Sequence, residues 1–174
     1  MEIHREAVPI LESLVEWVGE AAHISILEGR DVVYLHKVDC SHPVRLLSHI
    51  GKRNPAYCTS SGKVLLAYQS DEVIHTVLES ELYPHAPNTI TDKSLLRQNL
   101  EKIKRQGYSI AIDELHEGVV SLAVPVRDYT NEVVAAISIV GPKQRMKKDQ
   151  YPDLIDCLKG SAAKLSEQLG YSLS

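Results

Sequence analysis

No apolar run in the chain approaches the ~18 residues of a membrane span, and Met1-Glu2-Ile3-His4-Arg5-Glu6 has none of the features of a signal peptide. A membrane-spanning or exported protein is therefore not expected; a cytoplasmic one is. Cysteine is scarce. Cys40, Cys58 and Cys157 are odd in number and far apart, which speaks against a disulfide framework and for free thiols, buried or half-buried. Basic charge is not in excess: the net charge is −4. The single basic cluster, Lys143, Arg145, Lys147 and Lys148, is followed by Asp149 and Asp153, as in a solvated loop rather than a nucleic-acid surface. Internal repeats and low-complexity segments are missing too.

What remains is 174 residues, 44% of them hydrophobic, enough for one domain with a substantial core. Val8, Leu11, Leu14, Val15 and Val18 recur at helical spacing and predict an amphipathic helix over 7–20. Residues 23–28 and 32–38 read as strands around the turn Gly29-Arg30-Asp31, and 44–50 as a third strand behind Pro43. A turn over 51–54 leads to a further helix. Ser70 caps a helix over 71–79, whose acidic first turn suits the helix dipole. Residues 83–90 are a loop, and Thr91 is expected to cap a helix over 92–106 that ends at Gly107. Strands follow over 108–112, 119–126 and 133–140, then a helix over 151–169. Hairpin-linked strands with helices between and after them predict an α+β fold, one mostly antiparallel sheet with helices packed on it.

The most informative stretch is Pro55-Ala56-Tyr57-Cys58-Thr59-Ser60-Ser61-Gly62-Lys63-Val64-Leu65-Leu66-Ala67. Thr59 or Ser60 can cap the helix. The free N–H groups of its first turn, at the positive end of its dipole, make a seat for a small anion. Gly62-Lys63 is not a phosphate loop, because no Gly lies five residues before Gly62 and Val64 stands where Ser or Thr would hold magnesium. Gly-x-Ser-x-Gly is absent, and Cys58 and Ser60 have no base identifiable in sequence. The eight histidines lack metal-motif spacing; no metal and no cofactor is expected.

This stretch, with Gly51 ahead of it, resembles the effector-binding domain of IclR-type bacterial transcription regulators, where a Gly and a Pro precede a small-residue run, Gly-Lys and an apolar helix. Arg105-Gln106-Gly107-Tyr108 with Asp113-Glu114 and Glu117-Gly118-Val119 resembles the family's acidic segment. Ser121 to Asp128, running on to Val133 to Pro142, resembles its closing hairpin. The three motifs stand in the family's order and cover nearly the whole chain. The resemblance implies a GAF-like, profilin-like domain over 1–174 that binds a small-molecule effector. DNA would be reached only through an N-terminal winged helix-turn-helix domain, which nothing in these residues resembles. It also implies self-association as a dimer or tetramer.

On the same resemblance, Ser60, Ser61, Asp113, Ser121 and Ser138 are expected effector-binding residues; Gly62, small enough to let a ligand reach the backbone, and Leu46, placed on the third strand to line a pocket wall, join them on their own character. A carboxylate would sit on the amides of Ser60 and Ser61. The acidic position falls near Ala111 in one register and Asp113 in another. Relatives often carry Gly or Ala at the positions of Ser60 and Ser61, and Cys at that of Ser121, so this chain adds hydroxyls. The alternative reading is a stand-alone GAF-like sensor, or a small enzyme using Cys58.

Overall fold

The computed structural model describes residues 3–41 and 52–172. The expected strand over 44–50 and the expected effector-binding residue Leu46 lie outside the described residues. The strands are β1 (Ala21–Glu28), β2 (Asp31–Val38), β3 (Arg53–Pro55), β4 (Ser109–Ile112), β5 (Val119–Arg127) and β6 (Val133–Pro142). They form one sheet in the order β3-β2-β1-β6-β5-β4, with every pairing antiparallel. The helices are α1 (Ile3–Val18), α2 (Ser60–Ala67), α3 (Asp71–Leu78), α4 (Lys93–Gln106) and α5 (Tyr151–Gln168).

Strand alternation sorts the core into two clusters. Ala22 and Ile24 of β1, Val120, Leu122 and Val124 of β5, and Ile137 and Ile139 of β6 meet α1 and α5 on one face. The other face is covered by α2, α3 and α4, which pack with Val32, Tyr34, Ala123 and Ala136. The second face is unusual in its small side chains: Ser25, Ser109, Ala111, Ser121, Ala123, Ala136 and Ser138. They leave depth for α2, whose eight residues are all buried.

The ends of the elements show how local chemistry sets boundaries. Thr59 caps α2, its side chain accepting from Gly62 N at 3.0 Å, and Ser70 caps α3. For α4 the cap is Asp92, which accepts from Leu95 N, not Thr91; a carboxylate outcompetes the neighbouring hydroxyl for a first-turn amide. Gly107 closes α4 at φ 80°, a left-handed conformation open to glycine. Helix α1 starts four residues before the expected Ala7 and so holds Pro9 in its interior. Its first turn is fastened to the sheet by His4, whose ring meets that of His36 edge-on at 4.8 Å. Leu95 of α4 is 57% exposed; the buried stripe is Leu96, Leu100 and Ile103. The three cysteines are free, yet Cys157 is exposed on α5 rather than half-buried, because it lies off that helix's inward stripe. Among the described residues no helix is long and apolar enough to cross a membrane.

Gly62 fixes the seating of α2. A Cβ there would lie 2.2 Å from the Ala56 carbonyl oxygen and 2.3 Å from its Cα, backbone atoms that cannot rotate away. Gly62→Ala is expected to cost about 3 kcal/mol of stability through overpacking. Urea and thermal unfolding of the variant measure it.

Candidate functional site

The sheet face under α2 is a line of polar groups where a core would normally be apolar. His23 of β1 is paired with Ser138 of β6, Ser138 with Ala123 of β5, and Ala123 with Ser109 of β4. Residues directly opposite in a ladder share a face, so this row points as one toward the helices. Among the described residues, both ring nitrogens of His23 and the hydroxyls of Ser25, Ser109 and Ser138 are buried without a hydrogen-bond partner. A buried donor or acceptor left unmade costs about 1–3 kcal/mol, so such a concentration is unusual for a purely structural core.

A cavity opens at this row. Its sheet side is made by His23, Tyr34, Ala111, Val119, Ser121 and Val140, with Asn54 at the edge. Cys58 and Thr59, just ahead of α2, form a second side. Glu114, Leu115 and His116 of the connection between β4 and β5 form the third. About 50 Å³ is open to the centres of water-sized molecules, room for about four or five non-hydrogen atoms. Helix α2 begins at this wall. Gly62 N–H donates to Thr59 Oγ1, and Lys63 N–H to the Thr59 carbonyl at 2.9 Å. The amides of Ser60 and Ser61 have no acceptor among the described residues, which leaves them, with the helix dipole, available to an anion.

Lys63 projects from α2 into the interior and is 1% exposed. Its ammonium donates to Glu114 Oε2 at 2.7 Å and to the Ile110 carbonyl at 3.1 Å. The other carboxylate oxygen, Glu114 Oε1, is buried and unpartnered. Burial pushes the Glu114 carboxyl above its ordinary range, and the Lys63 charge opposes that shift. Burial lowers His23 to about 4, helped by the Lys37 charge and opposed by Asp39, so its imidazole is neutral at physiological pH. Cys58 is pushed up to about 12, chiefly by burial and then by Glu114. A thiol held protonated in this way is a poor nucleophile.

The expected residues separate into groups. Ser121 lines the cavity. Ser138 sits behind it, opposite His23 and without a partner. Ser60 and Ser61 are buried in the first turn of α2, directly after Cys58 and Thr59, which line the cavity. Gly62 faces Ala56 and Thr59, not the cavity, so its part is close packing. Asp113 is also turned elsewhere. Its carboxylate accepts from Gly118 N and pairs with Lys143 at 2.7 Å, bonds that hold it below its usual range, the Lys143 bond most. The acidic group of the cavity is the next residue, Glu114. His23, Tyr34 and Asn54 were not anticipated. The legible signal for His23 was a histidine and a serine, His23 and Ser25, on alternate positions of a strand that is otherwise apolar. Among the described residues no group of three or more potential metal ligands is gathered.

Residues 1–167 match the family described as bacterial transcriptional regulator IclR, C-terminal. The chain is 34% identical to the HTH-type transcriptional regulator KdgR of Escherichia coli over 98% of its own length and 65% of KdgR. It thus spans a little under two thirds of that relative. The solved C-terminal domain of E. coli KdgR superposes with a TM-score of 0.87, covering 98% of this chain and all of that one, at 34% identity. The Thermotoga maritima IclR gives 0.93 at 31% identity, over 98% of this chain and 70% of that one. An IclR homologue from Microbacterium hydrocarbonoxydans, solved in complex with 4-hydroxybenzoate, gives 0.90 at 29% identity, over 98% and 69%.

Removing one member of a buried ion pair strands the other charge, at about 3–5 kcal/mol. Lys63→Met and Glu114→Leu are each expected to lose that much, and the double variant to recover most of it, in chemical denaturation. Titration of His23 supplies a second test. Its native pKa of about 4 lies below the unfolded value of 6.5, so the unfolded chain binds the proton more readily. Its contribution is complete above pH 6.5 and is lost as pH falls to 4, about 3 kcal/mol in all. His23→Leu should lack that component of the pH–stability curve.

Proposed function

The chain belongs to the IclR family of bacterial transcriptional regulators, and on that premise we propose that it is the effector-sensing domain of such a regulator, binding a small carboxylate in the cavity beside α2. The observation that supports this most is the meeting of two unpaired amides at Ser60 and Ser61 with unpartnered buried polar groups on the facing sheet. An anion on the helix N-terminus and oxygen groups turned to the sheet would satisfy both sets at once.

In this reading the bound state is reported through β1. His23 points into the cavity, while Ala22 and Ile24 on either side of it pack with Ala7 and Leu11 of α1 on the opposite face. A ligand that favours one setting of β1 therefore biases α1, which is the physical requirement for transmission. DNA contact falls to a winged helix-turn-helix domain outside residues 1–174, and self-association as a dimer or tetramer would relay the change.

Ser121→Leu places a large side chain in the cavity wall while leaving the Lys63 and Glu114 side chains themselves unaltered. The native chain is expected to gain about 2.7 kcal/mol with a carboxylate effector at a hundred times its Kd. The variant should gain nothing while its own melting stays cooperative. A thermal-shift screen over small keto, hydroxy and aromatic acids supplies the effector. Equal stabilisation of both proteins would place binding elsewhere.

A further inference from the structure

Two of the unpartnered groups line the cavity itself, and they differ in what they ask of a ligand. Glu114 Oε1 can only accept a hydrogen bond while Lys63 holds the same carboxylate through Oε2. His23, 1% exposed, offers one ring N–H and one bare nitrogen, neither of them used. A hydroxyl serves both, donating to Glu114 Oε1 and accepting from the imidazole. A keto oxygen cannot, since it would set its lone pairs against those of the carboxylate. An apolar carbon would leave both groups unpaired, at the cost such burial always carries.

Size narrows the choice further. With about 50 Å³ open to water centres, the cavity suits an acid of about five or six non-hydrogen atoms after slight adjustment of its wall. An aromatic acid would have to displace that wall. We propose, resting on the sensor reading above, that the effector is a two- or three-carbon hydroxy acid. Its carboxylate lies on the Ser60 and Ser61 amides, and Glu114 and His23 select its hydroxyl. Sites that hydrogen-bond a ligand hydroxyl inside a buried pocket discriminate strongly against analogues without it, because the protein's own groups are then stranded.

Lactate, pyruvate and propionate are near-equal in size and differ at the one position in question. Calorimetric titration of the chain with each is expected to give lactate at least tenfold tighter binding than either of the others. The advantage should shrink below threefold in Glu114→Gln, which replaces the pure acceptor with an amide, and in His23→Leu. The second variant serves if the first is unstable. Comparable binding of the three acids, or a lactate preference that survives both substitutions, would overturn the hydroxyl selection and leave the carboxylate sensor standing. Binding of 4-hydroxybenzoate but of none of the three would overturn the size argument with the same reading intact. If none of the four bound, the hydroxy-acid assignment would fall, and the carboxylate sensor would be judged by the wider thermal-shift screen.

Discussion

Helix α2 has no face in solvent, and a short helix placed inside a protein must settle its polar groups there. Gly62 brings it against the turn at Ala56, and the serines and alanines beneath it let it sink onto the sheet. Once it is seated, Lys63 has no route to water, and Glu114 becomes its necessary counter-charge. That pairing fixes the connection between β4 and β5 against the helix and so forms the third side of the cavity. Mutual attraction within the pair does little more than offset what both charges lose on leaving water. Its contribution is position: it sets where one carboxylate oxygen stands and leaves the other unspent.

The same arrangement explains how so polar a sheet face can stand in the interior. Neutral His23 and the row of serines would be poor core residues in any other protein. Here they are held by strands whose opposite faces belong to a well-packed cluster of Val, Leu and Ile against α1 and α5. Cost on one side of the sheet is offset by packing on the other, a division of labour common where function asks for unsatisfied groups.

Most of the architecture was legible in the sequence because it rests on local signals. Ser70, Gly107 and the alternating runs of β1, β2, β5 and β6 mark their elements without help from the rest of the chain. What escaped depends on long-range geometry. Asp113 and Glu114 are adjacent and chemically alike, and nothing local says which turns inward. The answer comes from Asp113 at φ 56°, a left-handed backbone stabilised by its own bond to Gly118 N and by Lys143. The cap of α4 was misplaced by one residue for a smaller reason of the same kind: two capable side chains compete, and the stronger acceptor wins. Helix α1 runs through Pro9, and His4 in its first turn meets His36 of β2 edge-on, a contact that periodicity cannot reveal. His23 was visible as an oddity of its strand, but only the register with Ser138 gives the oddity a meaning.

The order of the sheet has a bearing on how the protein comes to be made. Its central seam joins β1 to β6, so Ile24 lies beside Ile137. A ribosome must release everything from β1 through β6 before that seam can close. Contacts so distant in sequence make for slow maturation. Until β6 arrives, the inner edge of β1 is an open invitation to stray strands.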